Sequence, residues 1–307
     1  MQNTIFMNST FWTNTVWYIV LALTSAAALA VILVKTRERR KTVAFWLAVL
    51  GFTYFLEIAL LLLFSAYTYH PMLAPQPFFD AILGNVFSQV SVSSSAVLIC
   101  VLGLSNWWLA GFSAAYFLID VLYVHLGVYE HFWYRSVYTL AGFFIYGLIV
   151  RYWCGKIFGI PSKRVYIATH YLGTWATAGN LLGTLFKLIG LREFQSGLYA
   201  DPARDHNATG IIYSTVIVAT MLTLYKWRMP WLKKLPAFLV LLACEFALIY
   251  WQVIITAPGW QIPVALIDVA GYYGFTVYLD RLMRNRNSHG CGLQSNDAHR
   301  PGDSGAH

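Results

Sequence analysis

Apolar residues fall into nine blocks along the chain, at about 17–35, 43–66, 80–103, 107–126, 135–153, 165–190, 209–225, 235–256 and 262–281, with short polar connections between them. A helix needs roughly 20 mainly apolar residues to cross the hydrocarbon layer. The pattern therefore predicts an all-α polytopic transmembrane helix bundle of about nine spans. Residues 1–284 form its single domain. The remainder, 285–307, is rich in Gly, Ser, Asn and His and has no apolar period, which predicts a disordered cytoplasmic tail. The block at 80–103 is the most polar, because Ser88, Ser91, Ser93, Ser94 and Ser95 interrupt it; small residues of that kind mark a face packed on other helices. The last two blocks are joined by a tight hairpin at Pro258 and Gly259.

Composition supports a membrane setting. Hydrophobic residues make up 58% of the chain and charged ones 11%, against about 25% charged in soluble domains. The formal net charge of +8 suggests a nucleic-acid partner at first, but the basic residues sit in clusters between apolar blocks and not on one polar face. One side holds Lys35, Arg37, Arg39, Arg40, Lys41, Arg151, Lys156, Lys163, Arg164, Lys226, Arg228, Lys233, Lys234, Arg281, Arg284, Arg286 and Arg300. The other holds Arg135, Arg192 and Arg204, and Lys187 lies within a block. Cytoplasmic connections carry the excess of Lys and Arg, so the N-terminus is expected outside and the C-terminus in the cytoplasm. Residues 2–16 contain no Lys or Arg, so the basic start of a cleavable signal is missing and the first block is expected to remain as a span. Asn8 and Asn207 stand in glycosylation sequons on the outer side. The four cysteines show no CxxC pairing, which points to neither a zinc site nor a disulfide framework.

Acids inside spans are costly and mark functional sites by default. Glu57, Asp80, Asp120 and Asp268 fall in the outer half of their blocks, and Glu245 lies near the middle of its own. Asn85 and Gln89 are four apart and share a face below Asp80. His125, Asn180 and Lys187 lie at the same outer level. These ten residues are the candidate binding set for an outward-facing polar cavity, with Glu57 and Asp268 as candidate catalytic acids. The structural alternative is that they pair with one another to hold the bundle. Five acids against the single base Lys187 leave charge that pairing does not neutralise. Aromatics reach 17% of the chain; many cap the spans as interfacial belts. Tyr54, Tyr116, Tyr250, Trp251, Tyr272 and Tyr273 lie deeper, where they suit a cationic ligand or carbocation.

No phosphate loop, HExxH, GxSxG or Asp-rich diphosphate motif occurs, and no Lys stands in the last span for a retinal Schiff base. No cofactor or metal is expected. The segments 79–84 and 267–271 echo one another around Asp80 and Asp268, and a true repeat would favour a transporter.

Between about Tyr54 and Lys156 the chain resembles a family of multi-pass membrane proteins of unassigned activity from Bacillus-like spore-forming bacteria. The likeness rests on Tyr67-Thr-Tyr69-His-Pro71, on Asp80 with Gly84, Asn85, Ser88 and Gln89, and on the run from Asp120 through His131 to Thr139. The family carries Glu where this chain has Asp120. The resemblance implies a bacterial inner-membrane setting and places Asp80, Asn85, Gln89, Asp120 and His131 in the shared stretch. A looser likeness links Glu57 and Asp268 to the acids that membrane-embedded terpene cyclases carry in an early span and in the last.

Two functions follow as expectations. The first is transport or binding of a small solute, cationic by the excess of acids. The second is an intramembrane enzyme, a lipid or isoprenoid cyclase or isomerase with a buried carboxyl as general acid. A structural or sensory role is the non-catalytic alternative. The expected partners are the lipid bilayer and a small-molecule or lipid ligand, with no nucleic acid, and the expected location is the cell membrane.

Overall fold

The computed structural model describes residues 10–227 and 230–284. Nine long helices make up most of these residues: α1 Phe11–Lys35, α2 Arg39–Leu63, α3 Pro77–Val101, α4 Asn106–His125, α5 Ser136–Phe158, α6 (163–188), α7 Pro202–Lys226, α8 Trp231–Tyr250 and α9 Gln261–Met283. Seven are long and apolar enough to cross a membrane, all but α6 and α8. Lys233, Lys234 and Glu245 interrupt α8, and α6 carries Thr169, His170, Thr174, Thr177, Asn180 and Lys187. The tail expected to be disordered, the Asn8 sequon and Cys291 lie outside the described residues.

Three helices contain wider π-type turns. One opens α1 at Phe11–Thr15, one closes α2 at Ile58–Leu63, and one lies inside α6 at Trp175–Leu181. Such turns concentrate at functional positions, and Glu57 directly precedes the second of them.

The connections at one end of the bundle are tied by short antiparallel strands. β1 (Tyr67–Tyr69) after α2 pairs with β2 (Tyr129–His131) after α4. β3 (Arg192–Phe194) after α6 pairs with β4 (Ile254–Thr256) after α8. The apolar block expected to run helically to 256 therefore stops at Tyr250. The chain turns through Gln252 at φ 59°, and β4 finds its backbone partners on β3. The α8–α9 connection is a strand-bearing loop, longer than the expected tight hairpin.

The described residues form a tandem structural repeat preceded by α1. Every element from β3 onward lies 125 residues after a counterpart (192 minus 67, 202 minus 77, 231 minus 106, 261 minus 136), with lengths preserved. Three pairs of left-handed positions obey the same offset: Ser65 and Gly190, Met72 and Gly197, Gly127 and Gln252. Loop hydrogen bonds repeat as well. His70 N–H donates to Val128 O at 3.0 Å, and Gln195 N–H donates to Val253 O at 2.9 Å. Repeat one is α2–α5 and repeat two is α6–α9. Each holds an even number of helices, so the two copies run in the same direction.

The copies meet at a crossing of α2 and α6, and small residues at matching positions make it close. Ala48 and Gly51 on α2 correspond to Gly173 and Ala176 on α6, and all four are buried. A Cβ on Gly51 would overlap the carbonyl of Leu172, and one on Gly173 would meet Leu279 Cδ2 at 2.6 Å. Helices without bulk at the contact approach closely and gain dispersion along their length.

Candidate functional site

The offset first sorts structural acids from the rest. Asp80, three residues after Pro77 at the start of α3, accepts the backbone N–H groups of Met72, Leu73 and Ala74 at 2.7–3.0 Å. Its counterpart Asp205 accepts those of Ser196, Gly197, Leu198 and Tyr199 at 2.7–3.2 Å. Both carboxylates fill a nest of amides made by a left-handed turn, so Asp80 holds the loop in place rather than lining a cavity.

A cavity of about 200 Å³ lies between repeat one and α1, walled by α1–α5 and roofed by β1 and β2, and is called the repeat-one cavity. It brings together the candidate residues Glu57, Gln89 and Asp120 with nine tyrosines: Tyr18, Tyr67, Tyr69, Tyr116, Tyr123, Tyr129, Tyr134, Tyr138 and Tyr146. Tyr67 donates its phenol to the Glu57 carboxylate, 2.6 and 2.7 Å from the two oxygens. Gln89 donates to Asn85 Oδ1 at 3.0 Å. Asp120 Oδ2 accepts from Thr139 Oγ1 at 2.7 Å, and its Oδ1 lies 3.2 Å from His131 Nε2, out of line for a hydrogen bond. The rings pack on each other, Tyr69 stacked on Tyr129 at 4.7 Å and Tyr67 edge-on to Tyr134 at 4.9 Å. Burial pushes the phenols of Tyr67, Tyr69 and Tyr129 well above their ordinary range, so they stay protonated donors at neutral pH. No Lys or Arg stands among the lining residues. Two acids and many ring faces, with no Lys or Arg among them, offer a cation both oxygens and ring faces. Leu56 on α2 and Tyr138 on α5 line it while being 44% and 46% exposed, which marks its mouth on the α2–α5 side.

Repeat two carries a different set of side chains at the matching positions. Arg192, at the position of Tyr67, is 2% exposed and ion-paired with Asp268, at the position of Phe143. Its guanidinium carbon lies 4.8 Å from the Phe194 ring, 5.0 Å from Phe186 and 5.7 Å from Tyr213. Tyr213 in turn donates to Glu245, which stands where Asp120 stands in repeat one. Asp268 is thus a paired acid, set apart from Glu57 and Asp120. Arg192, placed by sequence in an outer connection, is a buried base, so the expected excess of five acids over one base shrinks.

A smaller cavity of about 80 Å³ lies between α2, α3, α6 and α7. Glu57, Asn85, Asn180, Arg192, His206 and Ser214 line it, so Glu57 borders both cavities and Arg192 faces it across the second. Of the remaining candidates, Lys187 pairs with Glu193, and His125 is exposed at the end of α4. At the opposite end of the bundle, Asp280 on α9 is 1% exposed and gathers Tyr166, Tyr225, Lys226 and Arg284, with His170 Nδ1 3.9 Å away. Sequence reading missed this cluster because Asp280 lies at the last turn of its block, where an acid is unremarkable. It also missed the strand tyrosines, whose role depends on a pairing too short to leave a period.

Comparisons with protein families, with curated proteins and with solved structures give no match.

Proposed function

We propose that the repeat-one cavity is the binding site of a small organic cation, and that the protein carries this solute across a bacterial cell membrane. The observation that carries the reading is the pairing of Glu57 and Asp120 in one tyrosine-walled chamber that contains no Lys or Arg. A desolvated cation gains from ring faces and from carboxylates together. Transport is supported by the structural repeat, since same-direction repeats about an axis along the membrane normal are a recurrent transporter plan. The polar cluster around Asp280 lies at the opposite end of the bundle from the strand end, where the cavity lies. The orientation with nine spans, strands outside and C-terminus in the cytoplasm draws on the Lys and Arg asymmetry and on the pairing of alternate connections at one end.

Titration of the purified protein in detergent with tetramethylammonium chloride, against sodium chloride, tests the binding step. Saturable binding is expected, weakened at least tenfold in both Glu57→Gln and Asp120→Asn. Absence of binding of tetramethylammonium and of methylguanidinium alike, or wild-type affinity in both variants, overturns the reading.

A second reading has one observation in its favour, the side mouth at Leu56 and Tyr138. An opening toward lipid suits an enzyme acting on an isoprenoid, with Glu57 as the acid. Conversion of an added polyprenyl lipid, lost in Glu57→Gln, would support it.

A further inference from the structure

We infer that the ligand of the repeat-one cavity is a guanidinium or primary ammonium compound, for which Arg192 is the built-in counterpart in repeat two. This rests on the cation-binding reading above and narrows it to a chemical class.

The structural repeat supplies the argument. Subtracting 125 from four of the residues around the Arg192 guanidinium gives lining residues of the repeat-one cavity: Phe194 becomes Tyr69, Tyr213 becomes Ser88, Glu245 becomes Asp120 and Asp268 becomes Phe143, whereas Phe186 becomes Leu61, which lines the smaller cavity. One architecture therefore has two contents. In repeat two it encloses a hydrogen-bonding cation between aromatic faces and an acid, and the cation arrives on the first residue of β3. In repeat one the first residue of β1 is Tyr67, a neutral donor already engaged with Glu57. Each copy keeps two carboxylates in this region, Glu57 with Asp120 and Asp268 with Glu245, but only repeat two supplies an arginine or lysine; repeat one has His131, whose Nε2 lies 3.2 Å from Asp120 Oδ1 without an aligned hydrogen bond. Repeat one has acceptors and ring faces left for a cation from outside.

The preference for a donor-bearing cation follows from what the acids need. A guanidinium presents five N–H donors in a plane and stacks on rings, and an ammonium presents three. A quaternary ammonium has ring contacts alone and would leave the carboxylates without donors. Asp120 Oδ1 is a buried oxygen with no aligned hydrogen bond, in position to accept one. The volume of about 200 Å³ exceeds the roughly 150 Å³ that admits benzene, so a guanidinium or ammonium bearing a short alkyl group fits.

Titration of wild-type protein with methylguanidinium chloride and tetramethylammonium chloride decides the class. Methylguanidinium is expected to bind at least tenfold tighter. Equal or tighter binding of tetramethylammonium overturns this inference and leaves the cation site standing, whereas no binding of either ends both. Tyr67→Arg should place a guanidinium inside repeat one and abolish methylguanidinium binding; retention of wild-type affinity would contradict the equivalence. In a further arm, Arg192→Ala should lower Tm, and millimolar methylguanidinium, unlike tetramethylammonium, should restore part of the loss. A Tm indifferent to methylguanidinium counts against the equivalence of the two chambers.

Discussion

Tyr67 and Arg192 open corresponding strands of the two repeats, 125 residues apart, and they give one chamber opposite electrostatic fates. Tyr67 borders an acid-bearing cavity, while Arg192 is buried at the matching position and pairs with Asp268. Repeated units free one copy to specialise while the other keeps the fold. Here the second copy pairs its acid with an arginine, while the first holds Glu57 and Asp120 in a chamber lined by no Lys or Arg.

The Arg192–Asp268 pair should behave as a buried ion pair, costly to break and cheap to replace whole. Asp268→Asn strands a guanidinium and is expected to cost about 3–5 kcal/mol. The double variant Arg192→Met with Asp268→Leu should lose far less, because no charge is left unpaired. Thermal unfolding of the two in the same detergent checks this; equal losses would show that the pair contributes no coupling.

The carboxylates of Asp80 and Asp205 should matter for stability and little for ligand affinity. Replacing either by Ala leaves three or four amides without an acceptor, at about 1–3 kcal/mol per buried group. Tm is expected to fall in both, while the Kd for tetramethylammonium in Asp205→Ala stays within twofold of wild type.

Close approach of α2 and α6 makes Gly51 intolerant of a methyl group. Gly51→Ala should destabilise by about 1–3 kcal/mol through overpacking against the Leu172 carbonyl. Gly111 on α4 has open space at the same point, so Gly111→Ala should be neutral or mildly stabilising, by up to about 1 kcal/mol. Side-by-side melting curves provide the comparison.

Much of the fold was legible in the pattern of apolar blocks. All nine blocks correspond to helices, because long runs of Leu, Val, Phe and Ala leave the backbone no better way to satisfy itself away from water. The strands were not legible. Each spans three residues that are aromatic or apolar and adjoin a block, so residues 254–256 read as more helix. The repeat hid for a related reason: what persists between copies is geometry, as in Pro77 with Pro202 and Asp80 with Asp205, while most side chains have changed. The echo noticed between Asp80 and Asp268 joined residues that are not counterparts. Within the site, the cost of burying acids pointed to Glu57 and Asp120, and helical spacing brought in Gln89. Nothing local distinguished Arg192 from a solvated loop residue; only the fold shows that β3 tucks it against Asp268.

Topology is open to a direct check in a cysteine-free background. Membrane-impermeant maleimide added to intact cells should label Glu130→Cys and Leu198→Cys, at the strand end. It should spare Thr36→Cys and Ile160→Cys until the membrane is permeabilised. The reverse pattern would invert the bundle and place the cavity near the cytoplasm.

The most direct test of the cation site is anomalous X-ray scattering from crystals soaked in tetramethylarsonium chloride, an isostere of tetramethylammonium with a heavy centre. A peak is expected inside repeat one, between Glu57 and Asp120 and against the rings of Tyr67, Tyr69 and Tyr129, and it should vanish in Asp120→Asn. An empty chamber at saturating arsonium together with no methylguanidinium binding in solution, or a peak only elsewhere in the bundle, would contradict the assignment of this cavity to a cation.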